Sequence, residues 1–409
     1  MMDGKTGKTG IVGVELFEVN LPFRHPFRHA AAAHVCSASV FVRLVTDGGH
    51  CGYGETLPRS YVTGEARGTT FDLLAQRILP RLLGMTFTSF EEVQDFLARC
   101  DGKAPGDWLP PETAQTAAWC AVDLALLDTF GRVFGKALHL GLAGAGAGPW
   151  PQDLRYSLVL SGEPGPHAWA TLLKARAFGL RDVKVKVDGP SLTAIRLTRR
   201  LLGPRARIRA DANMAWTYDE ARSAMASMSR LGVESFEQPL AAGDLAGLAR
   251  LTAETGLSII ADESFHDADS LERLIATRAC TGVNVRIAKC GGLIAALGRA
   301  RRAHEAGLTV QIGCQVGETS QLSAAQLVLV RTLGRDVRYL EGCFGERLLK
   351  TDPVRPLLQF GRHGRPPESP TGAGFGTEVD VSTLRRYGGR RWSLGAPASS
   401  VLPHREEPR

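Results

Sequence analysis

The chain lacks any apolar run long enough to cross a membrane. Its first ten residues hold no apolar segment of the kind a secretion signal needs. Paired cysteines are missing too. The eight cysteines, at 36, 51, 100, 120, 280, 290, 314 and 343, include no Cys-x-x-Cys spacing, and most lie inside apolar runs. That argues against a zinc cluster and against a disulfide framework; buried thiols in a reducing compartment, the cytoplasm, are expected. Aromatic residues are scarce at 7%, and no basic stripe is interleaved with them. Nucleic-acid binding and a membrane partner are therefore not expected. The formal charge of +7 is spread out and favours a small anionic substrate. Residues 4–9, Gly-Lys-Thr-Gly-Lys-Thr, lack the leading glycine and the preceding strand of a phosphate loop.

What is present is a change of rhythm. Residues 11–19 alternate apolar and polar side chains as a strand does, and residues 36–45 and 49–55 read as a hairpin around Asp47-Gly48-Gly49. Between them, residues 21–33 are rich in Pro, His and Arg and read as a loop, as do residues 57–65. Residues 69–134 are mainly helical in period, most clearly over 113–130. After a Gly-, Ala- and Pro-rich stretch at 141–151, strands and helices alternate. The strands are expected at 155–160, 183–187, 206–210, 233–236, 257–261, 283–288, 308–313 and 337–341. Eight strands with helices between, and no glycine fingerprint after the first, predict a β/α barrel over a doubly wound sheet. The expected division is a disordered tail at 1–10, an α+β capping domain at 11–145 and a barrel at 150–345. A segment packing on the cap follows at 346–390, then a disordered tail at 395–409.

Strands two to six end in charge. Lys184 and Lys186 close the second, Asp211 the third, Glu237 the fourth, Asp262 the fifth and Lys289 the sixth. They recur about every 25 residues, the length of one βα unit, so they stand side by side on the catalytic rim. Three neighbouring carboxylates are a hard-oxygen set that suits Mg2+ or Mn2+. The lysines flank them, placed to move a proton beside a carboxylate. Each motif alone is an ordinary turn, cap or solvated strand face. Five in register at one pitch are not.

The set Lys-x-Lys, Asp-x-Asn, Glu-Gln-Pro, Asp-Glu-Ser and Lys-x-Gly-Gly resembles the enolase superfamily, specifically the muconate-lactonizing subgroup of the mandelate racemase/muconate lactonizing enzyme family. The resemblance implies a modified (β/α)7β barrel under a cap made by the N-terminal part and the C-terminal tail. It implies Mg2+ held by Asp211, Glu237 and Asp262, and Lys186 and Lys289 as opposed acid/base groups. Lys184 would tune Lys186 and touch the substrate carboxylate, with Asn213 and Glu263 behind the ligands. It implies a homo-oligomer. The two cap loops match the family's specificity loops, which makes Phe23, His25, Phe27, Arg28, His29, Arg59 and Tyr61 candidate substrate contacts. On the last strands, Glu318 and Glu341 are candidates as well.

Members of the subgroup cycloisomerise muconates, form o-succinylbenzoate, racemise N-acylamino acids or epimerise dipeptides, all through one enolate step. Dipeptide epimerases carry Asp-x-Asp on the eighth strand, whereas this chain reads Tyr339-Leu340-Glu341-Gly342-Cys343-Phe344-Gly345. Arg286 stands where relatives often have Lys. Cycloisomerisation of a small carboxylate is the leading expectation, with racemisation or epimerisation second and an o-succinylbenzoate synthase-like dehydration also open. A barrel that binds metal without catalysis is the non-enzymatic alternative, and the intact set of five argues against it.

Overall fold

In the strand Ser39–Thr46, alternation sends side chains to two different cores. Val40, Val42 and Leu44 enter the main core. Phe41 instead joins Phe17, Phe23, Leu349, Val354 and Leu384 in a second cluster. Both faces of this cap sheet are therefore covered, one of them by the C-terminal segment. The sheet runs in the order Gly388–Gly395, Thr9–Val19, Ser39–Thr46, Cys51–Thr56, with Thr86–Phe87 pairing to the first strand in sequence. All its pairings are antiparallel. These are findings from a computed structural model, which describes residues 7–29, 32–140, 142, 148–160, 165–187, 189 and 191–395, without the side chains of 26–34.

The helix Thr116–Val133 is buried on every side from Ala117 to Gly131. It lies directly on Cys51–Thr56 because the strand offers glycine on the facing side. A Cβ on Gly54 would stand 1.9 Å from the Ala121 oxygen, and one on Gly52 would stand 2.3 Å from the Thr129 nitrogen. Free N–H groups at a helix start need acceptors. Here Glu65 supplies them, accepting from Ala117 N at 2.7 Å and Ala118 N at 2.9 Å. Burial pushes the Glu65 carboxyl up to about 7 against those bonds.

Eight parallel strands follow in chain order, each paired with the next: Leu158–Leu160, Asp182–Lys186, Arg207–Asp211, Val233–Glu237, Ile259–Ala261, Gly282–Val285, Thr309–Ile312 and Val337–Leu340. A parallel bridge between Tyr156 and Leu340, with Ser157 N donating to Leu340 O at 2.9 Å, joins last to first. Val183, Ile208, Val283 and Val310 are buried in the main apolar core, and the intervening Lys184, Arg209, Asn284 and Gln311 carry the polar lining. Among the described residues, no helix is long and apolar enough to cross a membrane.

Five segments depart from expectation. The tail proposed for 1–10 already enters the sheet at Thr9, while residues 1–6 lie outside the described set. Residues 21–33, expected as a loop, form much of a two-stranded ribbon, Pro22–His29 against Ala32–Cys36. Pro and charged side chains are what an exposed ribbon tolerates, and they mask its alternation. Residues 57–65 contain a short helix, Ser60–Thr63. The sixth strand stops at Val285, and Ile287–Cys290 turns helical. At the far end, Gly395 closes a strand, and residues 396–409 of the expected tail lie outside the described residues. The cysteines are all free, and only Cys120, Cys280, Cys290 and Cys343 are fully buried.

Cap and barrel meet through buried polar groups. Asp123 accepts from Leu293 N at 2.7 Å, and a Cβ on Gly292 would collide with the Asp123 side chain. Glu55 accepts from Thr319 N and Oγ1, the latter at 2.6 Å. Burial pushes Asp123 up to about 7, although the Leu293 and Ile294 N–H groups pull it down.

Two outcomes follow. Gly54→Ala should lower the unfolding free energy by about 3 kcal/mol through overpacking, read as a shifted urea midpoint at unchanged slope. Asp123 favours its neutral form in the fold, so its stabilisation is complete below about pH 4 and is lost as pH rises toward about 7. Between pH 5 and 7, wild type should lose about 1 kcal/mol per pH unit relative to Asp123→Asn in parallel denaturation series.

Candidate active site

The inward side chains of the second strand set the centre. Lys184 lies deep in the barrel, with its Nζ 2.7 Å from Glu341 Oε2, 3.3 Å from Glu237 Oε1 and 3.3 Å from Asp211 Oδ2. Two residues on, Lys186 reaches the same side, 3.3 Å from Asp211 Oδ2 and 2.6 Å from Asn213 Oδ1. Across the fan, Lys289 rises from the helical turn Ile287–Cys290. Its Nζ donates to Asp262 O and Oδ1, both at 2.7 Å, over the Phe265 ring. Lys186 is on the second of eight strands and Lys289 follows the sixth, so the two amines face each other across the mouth.

The structure thus brings together Lys184, Lys186, Asp211, Asn213, Glu237, Asp262, Glu263, Lys289 and Glu341. It also places residues that sequence reasoning passed over, together with Arg286, noted there only for standing where relatives often have Lys. Arg209 pairs with Glu341 Oε1 at 3.0 Å, donates to Ser157 Oγ at 2.8 Å and contacts Gln311 Oε1. Asn284 and Gln311 donate to the two oxygens of Glu237, at 2.9 and 2.7 Å. Arg286 pairs with Asp262 and stands 3.8 Å from Glu237 Oε1. The signal was available: these polar residues occupy inward positions of apolar strands, two before or level with the charged ends. Gln238, the middle residue of Glu-Gln-Pro, ties the fourth strand end to the fifth. Its Oε1 accepts from Asp262 N and Ser264 N, each at 3.0 Å.

The expected cap contacts divide differently. Arg59 is buried and spends its donors on carbonyls: Ser37 O at 2.7 Å, Val316 O at 3.0 Å and Pro58 O at 3.1 Å. It is a clamp between cap and barrel and not a free hand for substrate. Phe23 is buried in the second apolar cluster. Tyr61 and His25 are exposed on the cap. The side chains of Phe27, Arg28 and His29 lie outside the described residues.

Charge in this interior is balanced locally. Burial opposes ionisation of Asp211, but Lys186 and Lys184 outweigh it and hold the carboxyl below its usual range. Burial likewise opposes Asp262, and Arg286 with Lys289 draws it well below. Lys184 is raised despite burial because Glu237, Glu341 and Asp211 surround it. Glu237 is pushed up to about 7 by burial, with Lys184 lowering it and Asp211 and Glu341 raising it. Glu263 rises to about 7 through burial and through Asp262 and Asp211.

Among the described residues, no group of three or more His, Cys, Asp or Glu side chains is set as metal ligands are. Lys184 and Arg286 stand between the three carboxylates of the fan. The donor chemistry nonetheless suits a hard divalent cation. All three are carboxylates on adjacent strands, and behind them Glu263 Oε2 is buried without a hydrogen-bond partner.

Residues 11–142 match the N-terminal domain of mandelate racemase/muconate lactonizing enzymes, and residues 168–383 match the enolase C-terminal domain-like family. The chain belongs to the mandelate racemase/muconate lactonizing enzyme family of the enolase superfamily. It is an enzyme of the superfamily's isomerase kind. It is 27% identical to an N-succinyl-L-Arg/Lys racemase of Bacillus cereus, over 77% of this chain and 82% of that protein. It is 27% identical to an L-Ala-D/L-Glu epimerase of Clostridium acetobutylicum, over 79% and 87%. A chloromuconate cycloisomerase of Cupriavidus pinatubonensis matches at 25% identity over 90% and 96%. The fold is that of a dipeptide epimerase from Cytophaga hutchinsonii solved with Mg and D-Ala-L-Val. That structure superposes with a TM-score of 0.80 at 24% identity, over 94% of this chain and 100% of that one.

Removing one partner of a buried ion pair strands the other. Arg209→Met should therefore cost about 3–5 kcal/mol of unfolding free energy. Adding Glu341→Gln should recover part of that loss, since the two changes couple. Equal, additive losses in urea denaturation would argue that the pair carries no such coupling.

Proposed function

We propose that the protein is a racemase or epimerase that inverts the carbon α to a carboxylate, acting on a dipeptide or an N-acylamino acid. The observation that carries this reading is the placement of Lys186 and Lys289 on opposite sides of the barrel mouth. One amine takes the α-proton from one face, and the C–H electron pair moves toward the carboxylate. The ammonium of the other lysine returns a proton to the opposite face, and the configuration is inverted. Asn213, hydrogen-bonded to Lys186, and the Asp262 oxygens, bonded to Lys289, aim the two groups. Lys184 keeps its proton among three carboxylates, so it acts as fixed positive charge beside Lys186 and not as a base.

Asp211, Glu237 and Asp262 would hold Mg2+, with Mn2+ also compatible with the oxygen set. When bound, the ion supplies positive charge against the negative charge that builds on the substrate carboxylate. The magnesium in the Cytophaga hutchinsonii epimerase structure supports this assignment by likeness of fold.

The eighth-strand sequence favoured cycloisomerisation. The racemase and epimerases among the relatives reverse that order. The cycloisomerase relative keeps the other reaction as a second reading.

The test is α-proton exchange in D2O with added Mg2+, on a panel of dipeptides, N-acylamino acids and muconates. Wild type should invert a substrate while taking up deuterium at its α-carbon. Lys186→Ala and Lys289→Ala should each slow inversion roughly 1000-fold. Each should still exchange the enantiomer that presents its proton to the lysine left in place. Inversion at wild-type rate in both variants, or turnover of muconates alone, would sink the reading.

A further inference from the structure

Resting on that reading of the site, we infer that Glu318 selects the substrate by pairing with a positively charged group that the substrate carries besides its carboxylate. Five other carboxylates lie at or behind the mouth; four of them are neutralised by cations or amide donors, and Glu263, whose Oε2 has no partner, is set back behind the fan. Asp211 is taken by Lys184 and Lys186, Glu237 by Lys184, Asn284 and Gln311, and Asp262 by Arg286 and Lys289. Glu341, the eighth-strand carboxylate, is neutralised by Lys184 on one oxygen and Arg209 on the other. It has no charge to spare for a substrate cation. Glu263 sits behind the fan on Asn213.

Glu318 differs. Its Oε1 accepts from Gln315 N at 2.6 Å, while its Oε2 has no hydrogen bond and no ion pair among the described residues. The cations whose charge acts on it are Arg286 and Arg59. The first is committed to Asp262 and the second to three backbone carbonyls.

The loop that carries Glu318 is held from above by the cap. Arg59 grips Val316 O, and Glu55 grips Thr319 through both N and Oγ1. Gly317 lies so close to the cap that a Cβ there would stand 2.8 Å from Ser37 and 3.0 Å from the Phe23 ring. The carboxylate is thus fixed at the seam between barrel and cap.

A plain structural role is the competing account, since Glu318 N also returns a 3.3 Å bond to Gln315 O and closes a turn. Glutamine would close that turn equally well. What glutamate adds is a group that can ionise: burial pushes its carboxyl up to about 8, toward the neutral form as long as no cation stands beside it. With one oxygen unengaged at the seam, that carboxyl is placed to ionise against a cation brought in by the substrate. Two substrate groups fit: the free α-ammonium of a dipeptide, or the side-chain ammonium or guanidinium of an N-acylated basic amino acid.

Matched pairs separate these sources. Nα-acetyl-L-lysine is set against N-acetyl-L-norleucine, and L-alanyl-L-alanine against its N-acetyl derivative. The full-length protein and Glu318→Gln are each assayed for α-proton exchange, and binding of all four compounds is measured by calorimetry. Wild type should prefer the charged member of one pair, and that pair names the source. Glu318→Gln should lower kcat/KM for that member roughly 30-fold or more, and weaken its binding, with the neutral member changed less than about threefold. Equal losses on charged and neutral members would overturn the inference, as would wild type binding the two alike. Absence of exchange by wild type on every compound would count against the proton-transfer reading alone, because the binding comparison still decides the role of Glu318.

Discussion

Everything at the mouth of this barrel depends on placing an ammonium, Lys184, almost wholly out of contact with solvent. A buried cation is tolerated only when opposite charge surrounds it. Lys184 has Asp211, Glu237 and Glu341 within 3.3 Å. Those carboxylates in turn need donors. Arg209 supplies Glu341, and Asn284 and Gln311 supply Glu237, from three strands of the barrel, while Arg286, just past the sixth strand, pairs with Asp262. The result is a closed polar network inside an apolar shell. It demands that the strands keep one register, since a slip of one residue would turn every inward charge outward.

That network leaves the two remaining lysines in distinct settings. Lys186 is partly exposed at the rim, with Asn213 and Asp211 for company. Lys289 is buried and anchored on both the side chain and backbone of Asp262. The lysine that is most heavily surrounded is the one least able to act as a base, which is why the proposed proton transfers fall to the two on opposite sides of the mouth. The proposed division of labour among three lysines thus rests on their neighbours and not on their residue type.

The cap contributes a different layer. Its central helix Thr116–Val133 is buried all round, and the glycines of Cys51–Thr56 let it lie flush on the sheet. Buried carboxylates, Glu55 and Asp123, join the cap to the barrel by accepting backbone N–H groups from the barrel side. Arg59 does the reverse with carbonyls. The loop after the seventh strand is therefore positioned by the cap as much as by the barrel, which is why Glu318 lies at a seam between the two.

The pitch of about 25 residues from Lys186 to Lys289 made the barrel and its five charged strand ends legible in the sequence, because a local period of strand and helix is written in neighbouring residues. The ribbon at Pro22–His29 and Ala32–Cys36 was not legible, because its pairing partner and not its own alternation makes it a strand. Arg59 illustrates the same limit: an arginine in a loop looks available until the carbonyls of Ser37 and Val316 are seen around it. Arg209, Asn284 and Gln311 look like ordinary strand residues until closure of the barrel points them at Glu237 and Glu341. The sequence by itself determined the fold class and which charged residues gather on one rim, since both follow from period and spacing. Only the tertiary structure decided which charges are cancelled and which are left to act, because that depends on distances between side chains on different strands, from about 25 to well over a hundred residues apart in the chain.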